Sequence, residues 1–96
     1  MPFAKMEKLF ETDEILAESA SLATKGSYIQ SGLQPSQLLI ALDNSEVRVN
    51  VRGKPSKSLH SGEVLWLVAD HPPAIVNGRG HGTSRFLLLS FKNKDS

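Results

Sequence analysis

The sequence predicts an all-β domain, a sandwich or small barrel, from two observations. Turn-forming residues recur at intervals of roughly 8–12 residues, as in folds built of many short strands. They include Gly26, Gly32-Pro35, Asp43-Asn44, Gly53-Lys54-Pro55, Ser61-Gly62, Asp70 to Pro73 and Asn77-Gly78. Between them lie short apolar or alternating runs, too short for packed helices.

The chain can be read element by element. Ala4 to Phe10 places Met6, Leu9 and Phe10 at helical spacing, yet so short a helix is marginal without a partner, and helix and strand both stay open there. Ile15 to Leu22 is a strand diluted by Ala and Ser, and Ser27-Tyr28-Ile29 is a short strand after the Gly26 corner. Leu38 to Leu42 is a continuous apolar run, joined through Asp43-Asn44-Ser45 to the clearest strand, Glu46 to Arg52. There Val47, Val49 and Val51 alternate with polar residues, so one face is buried and the other wet. The turn between the two runs suggests a hairpin. Val64 to Val68, Ala74-Ile75-Val76 and Arg85 to Phe91 complete the set, the last apolar enough for cover on both faces.

Composition narrows the function classes. Ninety-six residues make one domain, residues 1–96, with 40% hydrophobic and 22% charged residues, an ordinary globular balance. Eleven basic and ten acidic residues are interspersed, for a net charge of +1, so the basic stripe of a nucleic-acid binder is missing. The absence of cysteine excludes disulfides, thiolate metal sites and cysteine nucleophiles. No run approaches the roughly 18 apolar residues of a membrane-spanning helix. MPFAKMEKLF lacks the apolar core of a signal peptide, which favours a cytoplasmic location unless a leader has been removed.

The stretch GEVLWLVADHPPAIVN, Gly62 to Asn77, then becomes specific. An entry glycine, an apolar strand, a proline-bearing corner, a short strand ending at asparagine and a final apolar strand resemble the small single-domain cupin, a jelly-roll (double-stranded β-helix) barrel. The second cupin motif, G-x5-P-x-G-x2-H-x3-N, laid from Gly62 reaches Asn77. Its proline falls on Val68, its second glycine on Asp70 and its histidine on Pro73. The first motif, G-x5-H-x-H-x3,4-E-x6-G, laid from Gly26 puts its histidines on Gly32 and Gln34 and its glutamate on Leu38 or Leu39. A slipped register puts the glutamate on Gln37 and the histidines on Ser31 and Leu33. The similarity spans roughly residues 8–92, including KLFETDEILAES as an opening strand.

The resemblance implies a barrel whose metal ligands have been replaced. A transition ion needs imidazole and carboxylate donors, and Gly, Leu and Pro supply neither. His60, His71 and His81 fall in three separate connections, with Asp70-His71 the best fragment of a substitute site. If position 38 points inward, Leu38, Ile40 and Leu42 line the barrel with hydrocarbon, and no metal or other cofactor is expected.

The remaining constellations are weak. No G-x-S-x-G elbow supports a serine hydrolase, and Gly78 to Gly82 is not followed by the helix of a phosphate loop. Trp66 either stacks on a flat ligand or serves as a core or dimer contact. Tyr28, Gln30, Gln34 and Gln37 form a polar group, either at a barrel mouth or in solvated turns; Lys54, Lys57, Lys92 and Lys94 read as solvated charge.

The expected function is therefore a non-enzymatic small-molecule-binding or structural module with no catalytic residues. The candidate ligand contacts are Gln34, Trp66 and His71, and the resemblance implies a homodimer through the Phe86 to Phe91 strand and the N-terminal segment. Neither nucleic acid nor membrane is an expected partner. Two rivals stand beside it: a metal-dependent enzyme of the isomerase or dioxygenase type using His71 and unusual ligands, and a pure interaction subunit.

Overall fold

A computed structural model of the chain describes residues 4–79 and 82–92. Nine strands run among them: β1 Ala4–Glu11, β2 Ile15–Leu22, β3 Ser27–Ile29, β4 Ser36–Ala41, β5 Glu46–Val51, β6 Lys57–His60, β7 Val64–Leu67, β8 Ala74–Gly78 and β9 Ser84–Phe91. They form two antiparallel sheets, ordered β1-β2-β9-β4-β7 and β3-β8-β5-β6. The strand after Pro55, β6, has no counterpart in the sequence reading. Its four residues, Lys57–His60, carry one large apolar group, Leu59, and so lack a legible alternation.

Ala4 to Phe10 is a strand, which settles the question left open at the N-terminus. The segment pairs with β2 from Ala4↔Leu22 to Glu11↔Leu16, with a register shift between Lys8 and Phe10. Leu9 sits in that irregularity, which is how three apolar residues at helical spacing are accommodated in a strand.

The expected β4–β5 hairpin is not formed. β4 pairs with β7 and β9 in the larger sheet, whereas β5 pairs with β6 and β8 in the smaller one. The Asp43-Asn44-Ser45 turn carries the chain from one sheet to the other. Asn44 takes a left-handed φ of 58°, and Ser45 donates its N–H to the Leu42 carbonyl at 3.1 Å. The Ser45 hydroxyl then accepts the Arg85 N–H at 2.8 Å, tying the crossing to β9. A turn read locally cannot tell a hairpin from a change of sheet, because both begin with the same reversal.

The expected orientation of β4 is reversed as well. Across the register, Gln37 faces Ser90 and Leu67, Leu39 faces Leu88 and Leu65, and Ala41 faces Phe86. These residues point into the barrel: Gln37, Leu39 and Ala41 are 2%, 1% and 1% exposed. Leu38 and Ile40 instead lie on the outer face, beside Trp66, Val64, Leu89 and Leu87. With five consecutive apolar residues, side-chain alternation alone leaves the choice of face undetermined.

Half of the barrel is filled with hydrocarbon. Leu22, Leu39, Val47, Val49, Leu59, Val76, Phe86 and Leu88 are essentially solvent-free. Tyr28 packs on Phe86 with ring centroids 5.9 Å apart. Each buried Leu or Val side chain contributes about 1.5–3 kcal/mol relative to exposure. The opposite half is where polar side chains point inward.

Candidate ligand-binding site

The inward polar residues come from five places. Gln37 projects from β4, Ser90 from β9, Gln30 follows β3, His71 follows β7 in the 68–73 connection and Gln34 precedes β4. Gln30, Gln37, His71 and Ser90 are buried. The connection is set by Asp70 at a left-handed φ of 66°; its N–H donates to the Gln34 carbonyl at 2.7 Å, and Gln34 and His71 form an isolated antiparallel bridge. This backbone pairing carries the His71 ring inward.

Backbone groups orient the cluster. The Ala74 N–H donates to Gln30 Oε1 at 2.9 Å, so the Gln30 amide nitrogen is its free donor and reaches Gln37 Oε1 at 3.0 Å. The same oxygen lies 3.0 Å from His71 Nε2, while His71 Nδ1 lies 2.7 Å from the Pro72 carbonyl. The Gln37 amide nitrogen donates to Ser90 Oγ at 3.0 Å and Gln34 Oε1 at 3.3 Å. Both nitrogens of His71 thus face carbonyl oxygens, which can only accept. The tautomer decides which of the two oxygens the ring N–H meets.

Beside this cluster a crevice of about 540 Å³ opens into the barrel. Its apolar lining comes from the buried Val49, Val51 and Leu67, from Leu65, and from the exposed Trp66 and Val68; His71 lies among the lining residues, and Lys54, Lys57 and Asp70 are its charged members. That size and mixture suit a small organic ligand.

Of the three candidate contacts, His71 lies in the crevice lining and in the network, and Gln34 touches the network through Gln37. Trp66 also lines the crevice, but its ring packs against Phe91 with centroids 5.4 Å apart, on the outer face beside Leu38. The structure thus links Gln34 and His71 through the Gln37 carboxamide and places Trp66 with His71 in the crevice lining, outside that hydrogen-bond network. His60, at the end of β6, lies within 3.5 Å of Glu46 and 3.3 Å of Glu63 at the exposed surface. His81 lies outside the described residues.

The sequence reading missed Lys57 and the central role of Gln37. Lys57 pairs with Val49, an inward position, which brings its stem to the crevice. Gln37 was legible in the sequence only as a member of the polar group with Tyr28, Gln30 and Gln34 and as the glutamate position of the slipped first motif.

The donor set does not fit the metal centre that cupins commonly carry. The inward polar groups are three carboxamides, one hydroxyl and one imidazole, with both ring nitrogens already facing carbonyls. No three His, Cys, Asp or Glu side chains converge among the described residues. The two residues of the second motif that survive have structural employment. Gly62 adopts φ 84° in the turn from β6 to β7, where its N–H donates to the Ala41 carbonyl at 2.9 Å. Asn77 accepts a hydrogen bond from the Ser27 hydroxyl at 2.5 Å, pinning β3 to β8.

Comparison with known proteins agrees with this architecture. By sequence, no family model and no curated protein gives a significant match. By structure, the chain is similar to the cupin_2 domain of an XRE family transcriptional regulator from Enterobacter cloacae, at TM-score 0.81 and 14% identity, covering 95% of this chain and 98% of that one. It is also similar to a cupin superfamily protein from Desulfitobacterium hafniense, at TM-score 0.79 and 16% identity, covering 95% and 79%. A third is the polyketide cyclase RemF from Streptomyces resistomycificus, at TM-score 0.76 and 13% identity, covering 97% and 68%. The fold is that of the cupin superfamily, an all-β jelly-roll barrel.

Proposed function

We propose that this chain is a non-enzymatic cupin-fold binding module that holds a small molecule in the crevice between β5 and β7. The supporting observation is the division of the barrel interior. Its polar groups hydrogen-bond one another, leaving no converging set of anionic and imidazole donors among the described residues, while an apolar crevice remains open beside them. Such an interior excludes water and selects by shape and apolar area. The test is twofold. Metal analysis of protein purified without a histidine tag is expected to find no stoichiometric transition metal. Methyl-resolved NMR is expected to show Val49, Val51, Leu65 and Leu67 responding to small apolar ligands. A bound metal at one equivalent that is lost on His71→Ala overturns the proposal in favour of a metal-dependent enzyme.

The module works as a homodimer in this reading. The outer face of the larger sheet carries Leu38, Ile40, Leu87, Leu89 and Phe91, half-buried, with Trp66 and Val64 51% and 52% exposed. A contiguous apolar face of this kind is unusual on a monomer and suits burial against an identical copy.

A further inference from the structure

We propose that the ligand is a small amphipathic anion, a monocarboxylate with a short hydrocarbon tail, bound tail inward with its carboxylate at Lys54 and Lys57. The inference deepens the binding-module reading and rests on it. The walls are mostly apolar, from Val49, Val51, Leu65, Trp66, Leu67 and Val68, with Ser56 and His71 as neutral polar members of the lining. The buried amides beside the crevice are not among its lining residues and cannot receive a polar head without loss. Gln37 already uses its oxygen for Gln30 and His71 and its nitrogen for Ser90 and Gln34. A carboxylate pushed among them would be desolvated and would break bonds already made. Its favourable place is therefore the charged part of the lining.

The balance of charge there is positive. Two ammonium groups stand against one carboxylate, Asp70, among the lining residues. Neither lysine forms an ion pair among the described residues, whose pairs are Lys8–Glu11, Lys92–Glu11 and the contacts of His60 with Glu46 and Glu63. Glu63 feels the charge of Lys57 only as the weakest of its influences. Both lysines are exposed, follow or open structured segments, and can close over an anionic head while their stems extend the apolar wall. Attraction between exposed charges is modest, so the tail supplies most of the affinity and the lysines supply preference for an anion.

The test titrates the full chain with three probes of eight carbons each: sodium octanoate, 1-octanol and octylammonium. Octanoate is expected to bind about tenfold more tightly than octanol and to displace the methyl resonances of Val49, Val51, Leu65 and Leu67. That preference is expected to shrink as salt is raised. In the Lys54→Ala/Lys57→Ala variant, whose changes are both at exposed positions, octanoate is expected to fall to the affinity of octanol while octanol binding persists. Equal binding of octanoate and octanol by the unaltered chain overturns the assignment of an anion and leaves the binding module standing. A preference for octylammonium overturns it in the same way. No methyl response to any probe overturns both readings. So does a crevice whose methyl shifts follow protein concentration alone, which would mean that a second copy covers it.

Discussion

Gln37 is the residue on which the site turns, because four groups depend on its one carboxamide. Its oxygen takes Gln30 and faces His71, and its nitrogen serves Ser90 and Gln34. Gln37→Leu retains approximate volume but strands several of these groups in a buried setting. Such losses cost about 1–3 kcal/mol each when water cannot replace the partner. The expected outcome is about 2–4 kcal/mol of lost stability, measured by urea denaturation, with broadened signals from residues 70–74. Gly62 makes a different kind of demand. Nothing lies within 4 Å of where a Cβ would stand, so Gly62→Ala meets no clash and is opposed only by the φ of 84°. A cost of about 1–2 kcal/mol is expected, the difference between left-handed backbone for an L-residue and for glycine.

Strand β9 shows how one element serves two purposes. Its inward residues Phe86 and Leu88 are buried in the core, while Leu87, Leu89 and Phe91 alternate onto the outer face. Phe86→Ala is expected to cost about 3–5 kcal/mol in denaturation experiments, because the cavity it leaves is lined by packed hydrocarbon. Leu89→Lys is expected to behave differently. On the proposed homodimer, sedimentation velocity should shift from dimer to monomer, while the chain stays folded in far-ultraviolet circular dichroism. A dimer that survives this charge in the middle of the face would place the interface elsewhere. The alternation along β9 makes these two outcomes separable, since neighbouring residues report on opposite faces.

For the whole molecule, stability is expected to depend on pH at both ends of the scale. Glu11 is held below its ordinary carboxylate range, first by its hydrogen bond from Lys92 and then by that from Lys8. The Lys92 contact, at 2.6 Å, fastens the end of β9 to the β1–β2 corner. Glu63 is likewise lowered, chiefly by accepting the His60 backbone N–H at 2.7 Å. Both carboxylates favour the folded state when ionised, so their contributions are present above the unfolded value of 4.5 and fade as pH falls below it. Tyr28 has the opposite sign: burial raises it above 10.0, so the folded barrel prefers the neutral phenol. Its contribution is complete below 10.0 and is lost as pH rises further. Thermal melts across pH are expected to show a plateau between these limits and a decline at each end. Tyr28→Phe is expected to remove part of the alkaline decline, and an unchanged alkaline limb in that variant would contradict the assignment.

The sequence alone determined the class of fold, because strand alternation and turn residues are local properties. The three valines of β5 and the turn glycine Gly62 each announce their role within a few residues. Gln34 and His71 were also legible as candidates, the first from motif register and the second from its proline-marked corner. What only the tertiary structure decided is which way the apolar runs face and what meets inside. Five consecutive apolar residues gave no period by which to choose between Leu38 and Leu39 as the inward one, and the choice came from pairing with β7 and β9. The Trp66 indole was sent to the outer face by the same register, and the 42–45 turn became a crossing between sheets. The amide cluster joins Gln30, Gln37, His71 and Ser90 across 60 positions of chain, a juxtaposition that closing the barrel creates and no local pattern encodes.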